Sequence, residues 1–143
     1  MQKVILTFVL IITSFFFSQA FAQEKEANTL TITISGMKSD KGDVFVALYN
    51  SEKDFLKKSF KGKIVKVSAK KATAVFKNIE NGIYAISVFH DENNNKKLDT
   101  KIFGIPKEPI GMSNGATGFM GPPKYKDSKF SVTKDITIAI KVE

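Results

Sequence analysis

Hydrophobic and polar positions divide this chain into one long apolar run followed by a series of short alternating segments. Residues 4–17 carry no charge and almost no polar side chain. Beyond them the period becomes two. Leu30-Thr31-Ile32-Thr33-Ile34 alternates and stops at Ser35-Gly36. Residues 43–50 (DVFVALYN) are rich in β-branched and aromatic side chains, which suit a pleated surface. Residues 63–68 and 72–79 read as the third and fourth strands, with Lys70-Lys71 between them as the mark of a hairpin. Asn81-Gly82 is a turn signal, because both residues tolerate positive φ. It opens residues 83–90, where Tyr84, Ile86, Val88 and His90 share one face and Ala85, Ser87 and Phe89 the other. Residues 129–132 and 135–142 (DITIAIKV) read as the last two strands. Residues 51–58 are polar around Phe55-Leu56, and Asn50 or Ser51 can cap one helical turn there.

No window shows a long apolar repeat at 3.6 residues. Seven short strands with turn signals between them predict an all-β fold, an antiparallel seven-stranded β-sandwich over residues 30–143. The length allows one domain.

The first apolar run follows Lys3 and precedes Ala20-Phe21-Ala22, whose alanines have the spacing that a signal peptidase requires. Residues 1–22 are expected to be a secretory signal cleaved before Gln23, and residues 23–29 a short flexible tether. The run is shorter than the roughly 20 residues needed to cross a bilayer. The expectation is therefore an exported protein, periplasmic or extracellular, with no transmembrane span after cleavage.

Charge and composition narrow the chemistry. Lys+Arg is 22 against 14 Asp+Glu, a net charge of +8, and every one of those cations is lysine. Without Arg there are no bidentate contacts to phosphate or guanine, so nucleic acid is not an expected partner. Scattered lysines suit two roles: discouraging edge-to-edge strand pairing, or drawing the protein to anionic glycans and lipid headgroups. The absence of Cys excludes disulfides, thiol nucleophiles and zinc–thiolate sites. A single His excludes a multi-histidine metal centre.

Two stretches exceed what a minimal sandwich needs. In residues 91–99 (DENNNKKLD) oxygen side chains recur at Asp91, Asn93, Asn95 and Asp99, and the Lys97 carbonyl can add a fifth ligand. Hard cations such as Ca²⁺ take 6–8 oxygens, and this spacing matches positions 1, 3, 5, 7 and 9 of a calcium loop. Lys96 stands where an EF-hand has Gly, and Ile102 where it has its closing Glu. The competing reading is an Asx-rich turn whose side chains bond their own backbone. The second stretch, residues 100–128, holds five of the nine Gly and all four Pro. Its Phe103, Ile105, Ile110, Met112, Phe119, Met120 and Tyr125 are too apolar for disorder. An ordered lobe follows, either capping a sheet edge or walling a ligand pocket.

The segments Asn81-Gly82-Ile83-Tyr84-Ala85-Ile86, His90-Asp91-Glu92-Asn93-Asn94-Asn95, Leu98-Asp99-Thr100, Gly104-Ile105-Pro106-Lys107-Glu108 and Gly121-Pro122-Pro123 together resemble the exported bacterial family of unknown function DUF2141. Ser113-Asn114 and Gly118 fit as well, and the likeness covers nearly all of residues 30–142. The resemblance implies an immunoglobulin-like or transthyretin-like sandwich in the cell envelope, and it brings no enzymatic activity. The family often has an aromatic residue at the positions of Ile110 and Met112, and a basic one at Thr117.

The expected function is an exported, non-enzymatic binding or structural module, with Ca²⁺ as its one candidate cofactor. Its candidate loop surface is His90, Phe103, Glu108, Ser113, Asn114, Phe119 and Tyr125, facing a small ligand, a peptide or an envelope protein. Two alternatives stand beside it: a secreted hydrolase using His90, Asp91 and Ser113, and a lysine-driven binder of glycans or membrane surfaces.

Overall fold

The computed structural model describes residues 27–143. The expected leader, residues 1–22, lies outside them. Eight strands run in order: β1 (Ala27–Ser35), β2 (Asp43–Tyr49), β3 (Lys61–Lys66), β4 (Ala72–Glu80), β5 (Gly82–Asp91), β6 (Ile110–Met112), β7 (Phe130–Val132) and β8 (Ile136–Lys141). One helical turn, α1 (Tyr125–Ser128), precedes β7. The strands form a three-stranded sheet, β4-β1-β8, and a five-stranded sheet, β3-β2-β5-β6, in which β7 also pairs with β5.

Inward-facing rows from both sheets meet in one core. Leu30, Ile32 and Ile34 of β1 and Ala74 and Phe76 of β4 face Val44, Val46 and Leu48 of β2 and Ile86 and Val88 of β5. Burying each large side chain of this kind contributes about 1.5–3 kcal/mol.

Three expectations are corrected. The strand count is eight, because Ile110–Met112, expected as loop, adds β6 beside β5. The pairing is not wholly antiparallel: β8 runs parallel to β1, from Leu30↔Ile136 to Ser35↔Lys141. Alternation assigns side chains to faces and is silent on strand direction. Residues 27–29 belong to β1 and not to a tether, since the buried Asn28 amide donates to the Ile79 carbonyl at 3.0 Å and to Asn81 Oδ1 at 2.8 Å.

The turns also differ from simple hairpins. Ser68 and Lys71 exchange backbone hydrogen bonds of 2.9 and 3.0 Å around Ala69 and Lys70, both at positive φ. Beyond this bridge β3 and β4 part into different sheets. Asn81 alone carries the chain across to β5, again from one sheet to the other. Residues 51–58 form turns, with Ser51 Oγ accepting the Asp54 N–H at 3.3 Å.

Along one side the sheets are stitched together. Ile110 and Glu143 exchange backbone hydrogen bonds of 3.1 and 3.0 Å, which bring β6 against the end of β8. Gly111 makes this approach possible: a Cβ there would lie 2.6 Å from the Lys141 carbonyl oxygen and 2.7 Å from Ile140 Cγ2. Gly111→Ala is expected to destabilise the fold by about 1–3 kcal/mol, as overpacking does. Denaturant unfolding measures this; a change within experimental error contradicts the close approach.

Candidate functional site

The outer face of the five-stranded sheet is apolar as well. Opposite the core, β2 presents Phe45, Ala47 and Tyr49, and β5 presents Ala85, Ser87 and Phe89. Tyr49, Ala85 and Met112 are buried beneath Phe55, with Leu56, Ala116 and Tyr125 packed against them. The Phe55 ring meets Tyr49 and Tyr125 edge-on, at 5.2 and 5.6 Å between centroids. This second cluster covers one part of the face. The remainder stays open, floored by Phe45 and Phe89, which lie opposite each other in register and stack at 4.7 Å with an interplanar angle of 11°. Over it lies an open groove of about 1660 Å³, walled by Leu98, Phe103, Ile105, Met120 and Pro122. Ordinary small-molecule pockets are about 300–1,000 Å³, so this groove is larger and more open than those.

Capping a sheet edge and walling a pocket are alternatives for the Gly/Pro-rich excursion, and its residues take part in both the sheet and the groove. Its β6 completes the sheet beside β5, and its loops wall the groove. Residues 99–107 form a small hairpin: Lys107 N–H donates to the Asp99 carbonyl at 2.8 Å, Thr100 bridges Pro106, and Lys101 N–H donates to Ile105 at 2.7 Å. At its tip Ile102 and Phe103 are 79% and 96% exposed. A second tip carries Phe119 and Met120, 91% and 95% exposed.

Of the residues singled out in the sequence, Phe103 and Phe119 are exposed, Tyr125 is half-buried, and two others lie inside. His90 and Ser113 are fully buried. His90 has the inward parity of β5, and its Nε2 lies 2.7 Å from the Lys41 carbonyl. Ser113 Oγ accepts the Ile86 N–H at 2.9 Å and donates to the Ser128 carbonyl at 2.5 Å, tying β5 to α1. Asn114 is exposed, but its amide donates to the Lys129 carbonyl at 2.9 Å. His90 Nε2, the Asp91 carboxylate and Ser113 Oγ each bond backbone groups, while His90 Nδ1 is buried without a partner. The pattern reading missed Phe45 and Phe89. The uninterrupted apolar stretch VFVALY in β2 was the available signal, because a strand covered on both faces loses its alternation.

The acidic loop is a knot of Asx turns. Buried Asp91 accepts the N–H of Asn95 through Oδ1 at 3.2 Å and that of Lys96 through Oδ2 at 2.8 Å. Asn93 Oδ1 accepts the Asn95 N–H at 3.0 Å, and Asn95 Oδ1 the Lys97 N–H at 2.9 Å. The Asn93 and Asn95 amides donate to Asp99 Oδ2 at 2.7 and 2.9 Å, and these bonds hold the Asp99 carboxyl below its ordinary range. Glu108 reaches the loop from the hairpin's return strand. Its Oε2 accepts the Asp99 N–H at 3.1 Å, while Oε1 is buried without a partner. Among the described residues no three His, Cys, Asp or Glu side chains converge on a metal-sized point. An ion in this loop would draw on amide and carbonyl oxygens beside the carboxylates.

Burial, reinforced by the neighbouring Asp91 and Asp99 charges, holds the Glu108 carboxyl above its ordinary value of 4.5. A carboxyl raised in the folded state binds its proton more tightly there than in the unfolded chain. Stability therefore falls as pH rises from the ordinary glutamate value through the raised one. Glu108→Gln keeps an acceptor for Asp99 and removes the charge. It is expected to melt higher than the wild type at neutral pH and to lack that fall. Equal pH profiles for the two proteins contradict the crowding.

No curated protein and no solved structure matches the chain significantly. The family model described as "Uncharacterized protein conserved in bacteria (DUF2141)" matches residues 32–139, which span both sheets, the acidic loop and the groove walls. The chain belongs to the DUF2141 family.

Proposed function

We propose that this protein is an exported, non-enzymatic binding module of the cell envelope, which takes an apolar or amphiphilic ligand in the groove on the outer face of its five-stranded sheet. One observation carries the reading. A stacked Phe45–Phe89 floor lies open beneath walls contributed by two separate loops, although folding would be better served by covering it. The two-sheet body acts as an immunoglobulin-like or transthyretin-like scaffold, a reading supported by the family resemblance and by the shared core of the sheets. The non-enzymatic reading is supported by Asp91 and Ser113, whose side-chain oxygens bond backbone groups, and by the full burial of His90.

Binding of 1-anilinonaphthalene-8-sulfonate, followed by its fluorescence, tests the groove. The native protein is expected to bind it saturably, and Phe89→Ser to weaken binding by about fivefold or more through the loss of apolar floor. Ile83→Ser, at an exposed apolar position that does not line the groove, serves as control and should change nothing. Equal binding by all three proteins overturns the proposal.

Calcium is part of the same proposal, as a stiffener of the Asp91–Asp99 loop. The Glu108 carboxylate, with one buried unpartnered oxygen beside Asp91 and Asp99, supports it: a divalent cation relieves that like-charge crowding. The affinity expected is about 10⁻⁴–10⁻³ M, as in extracellular modules. Millimolar calcium should then raise the melting midpoint of the native protein and not that of Asp91→Ala. No shift in the native protein removes calcium from the account and leaves the groove untouched.

A further inference from the structure

Two tips beside the groove carry a feature that folding does not explain. Phe103 and Met120 both sit at positive φ, 66° and 54°, in the left-handed region where a large side chain is strained and Gly is at ease. Each is followed by a Gly, yet the apolar side chain occupies the strained position. Neither gains burial in return, being 96% and 95% exposed, and their neighbours Ile102 and Phe119 are 79% and 91% exposed. Among the nine described non-glycine residues at positive φ, these two are the large apolar side chains left almost fully exposed, so their strain has no packing return.

Charge indicates which partner these tips suit. Lys101 and Lys107 flank the first tip in sequence, and Lys124 and Lys126 follow the second; all four are exposed. Among the described residues the ion pairs join Lys66 to Asp43 and Lys141 to Glu143, which leaves Lys101 and Lys124 free of one. Phe103 and Met120 line the same groove, so the two tips belong to one face. Exposed apolar tips with exposed lysines close by in sequence form the pattern of a surface that sinks side chains into the acyl boundary while its ammonium groups meet anionic headgroups. A second copy of the chain is a poor partner for this face, because it would bring lysine against lysine in a protein of net charge +8.

We infer that the Ile102–Phe103 and Phe119–Met120 tips, with the lysines beside them, dock this face of the protein onto an anionic lipid bilayer. The inference goes beyond the groove reading, since the tips dock whether or not the groove holds a ligand. Docking would turn the groove toward the membrane.

Both apolar clusters are built from described residues after the expected leader, so the chain lacking Met1–Ala22 is the protein to test. This also keeps the apolar leader from binding lipid itself. Its co-sedimentation is measured with vesicles of phosphatidylcholine alone and of phosphatidylcholine mixed with phosphatidylglycerol, at low and high salt. Binding to the anionic vesicles is expected to exceed binding to the neutral ones by about tenfold or more and to weaken with salt. Ile102→Ser combined with Phe119→Ser, at exposed tip positions that do not line the groove, should reduce it by about tenfold or more. Lys101→Gln combined with Lys124→Gln should also reduce it, with melting midpoints no lower than the wild type because all four positions are exposed. Loss of vesicle binding with 1-anilinonaphthalene-8-sulfonate binding retained separates the tips from the groove floor. Three results overturn the inference: no binding to anionic vesicles, equal binding to both vesicle types, or binding that survives the tip substitutions. Binding to a sulfated glycan in place of vesicles overturns it too.

Discussion

Strand β5 has no free edge and is apolar on both faces, and the rest of the structure follows from that constraint. Its inner face supplies Tyr84, Ile86 and Val88 to the core, and its outer face supplies Ala85 and Phe89 to a second apolar surface. Its two edges are filled by β2 on one side and by β6 and β7 on the other. A strand so enclosed needs cover on both faces, and the three-stranded sheet provides only one. The other must come from loops. Residues 51–58 and 110–128 supply it over Tyr49, Ala85 and Met112 and stop short of Phe45 and Phe89. The groove is the part of the outer face that the loops leave uncovered.

The polar residues are arranged around that cover. Ser113 lies fully buried between β5 and α1 and satisfies the Ile86 N–H, a group that would be costly to leave unpaired. His90 does comparable work at the other end of β5, joining it to the Lys41 turn. There Gly42, at φ 74°, lies so close to the Asp91 carbonyl that a Cβ would clash. The acidic loop then roots the Phe103 hairpin through the Asp99–Lys107 and Asp99–Glu108 bonds. Anything that stiffens this loop also steadies one wall of the groove.

Much of this was legible in the sequence. Alternation announced β1 and β8, because one-sided burial writes itself as period two, while β-branched and aromatic composition and turn signals announced β2, β4 and β5. The Gly- and Pro-rich stretch was legible as an ordered lobe from its apolar content. Three features were not. The parallel β1–β8 pair escaped because the Ile136, Ile138 and Ile140 row reads the same in either direction. Strand β6 escaped because three residues, one of them Gly111, are too short to show a period. His90 and Ser113 looked like surface chemistry because residue type does not report burial.

The central claim is that the outer face of the five-stranded sheet is a binding surface and not merely a poorly covered one. Backbone and methyl NMR shifts recorded while a soluble short-chain alkyl phosphate is titrated in, below its micelle concentration, test it most directly. The account predicts shifts that saturate and cluster on Phe45, Ala47, Phe89, Ile110 and the 102–106 hairpin, while the Leu30–Ile34 row stays still. Shifts spread evenly over surface lysines, or confined to the inner core, would contradict it.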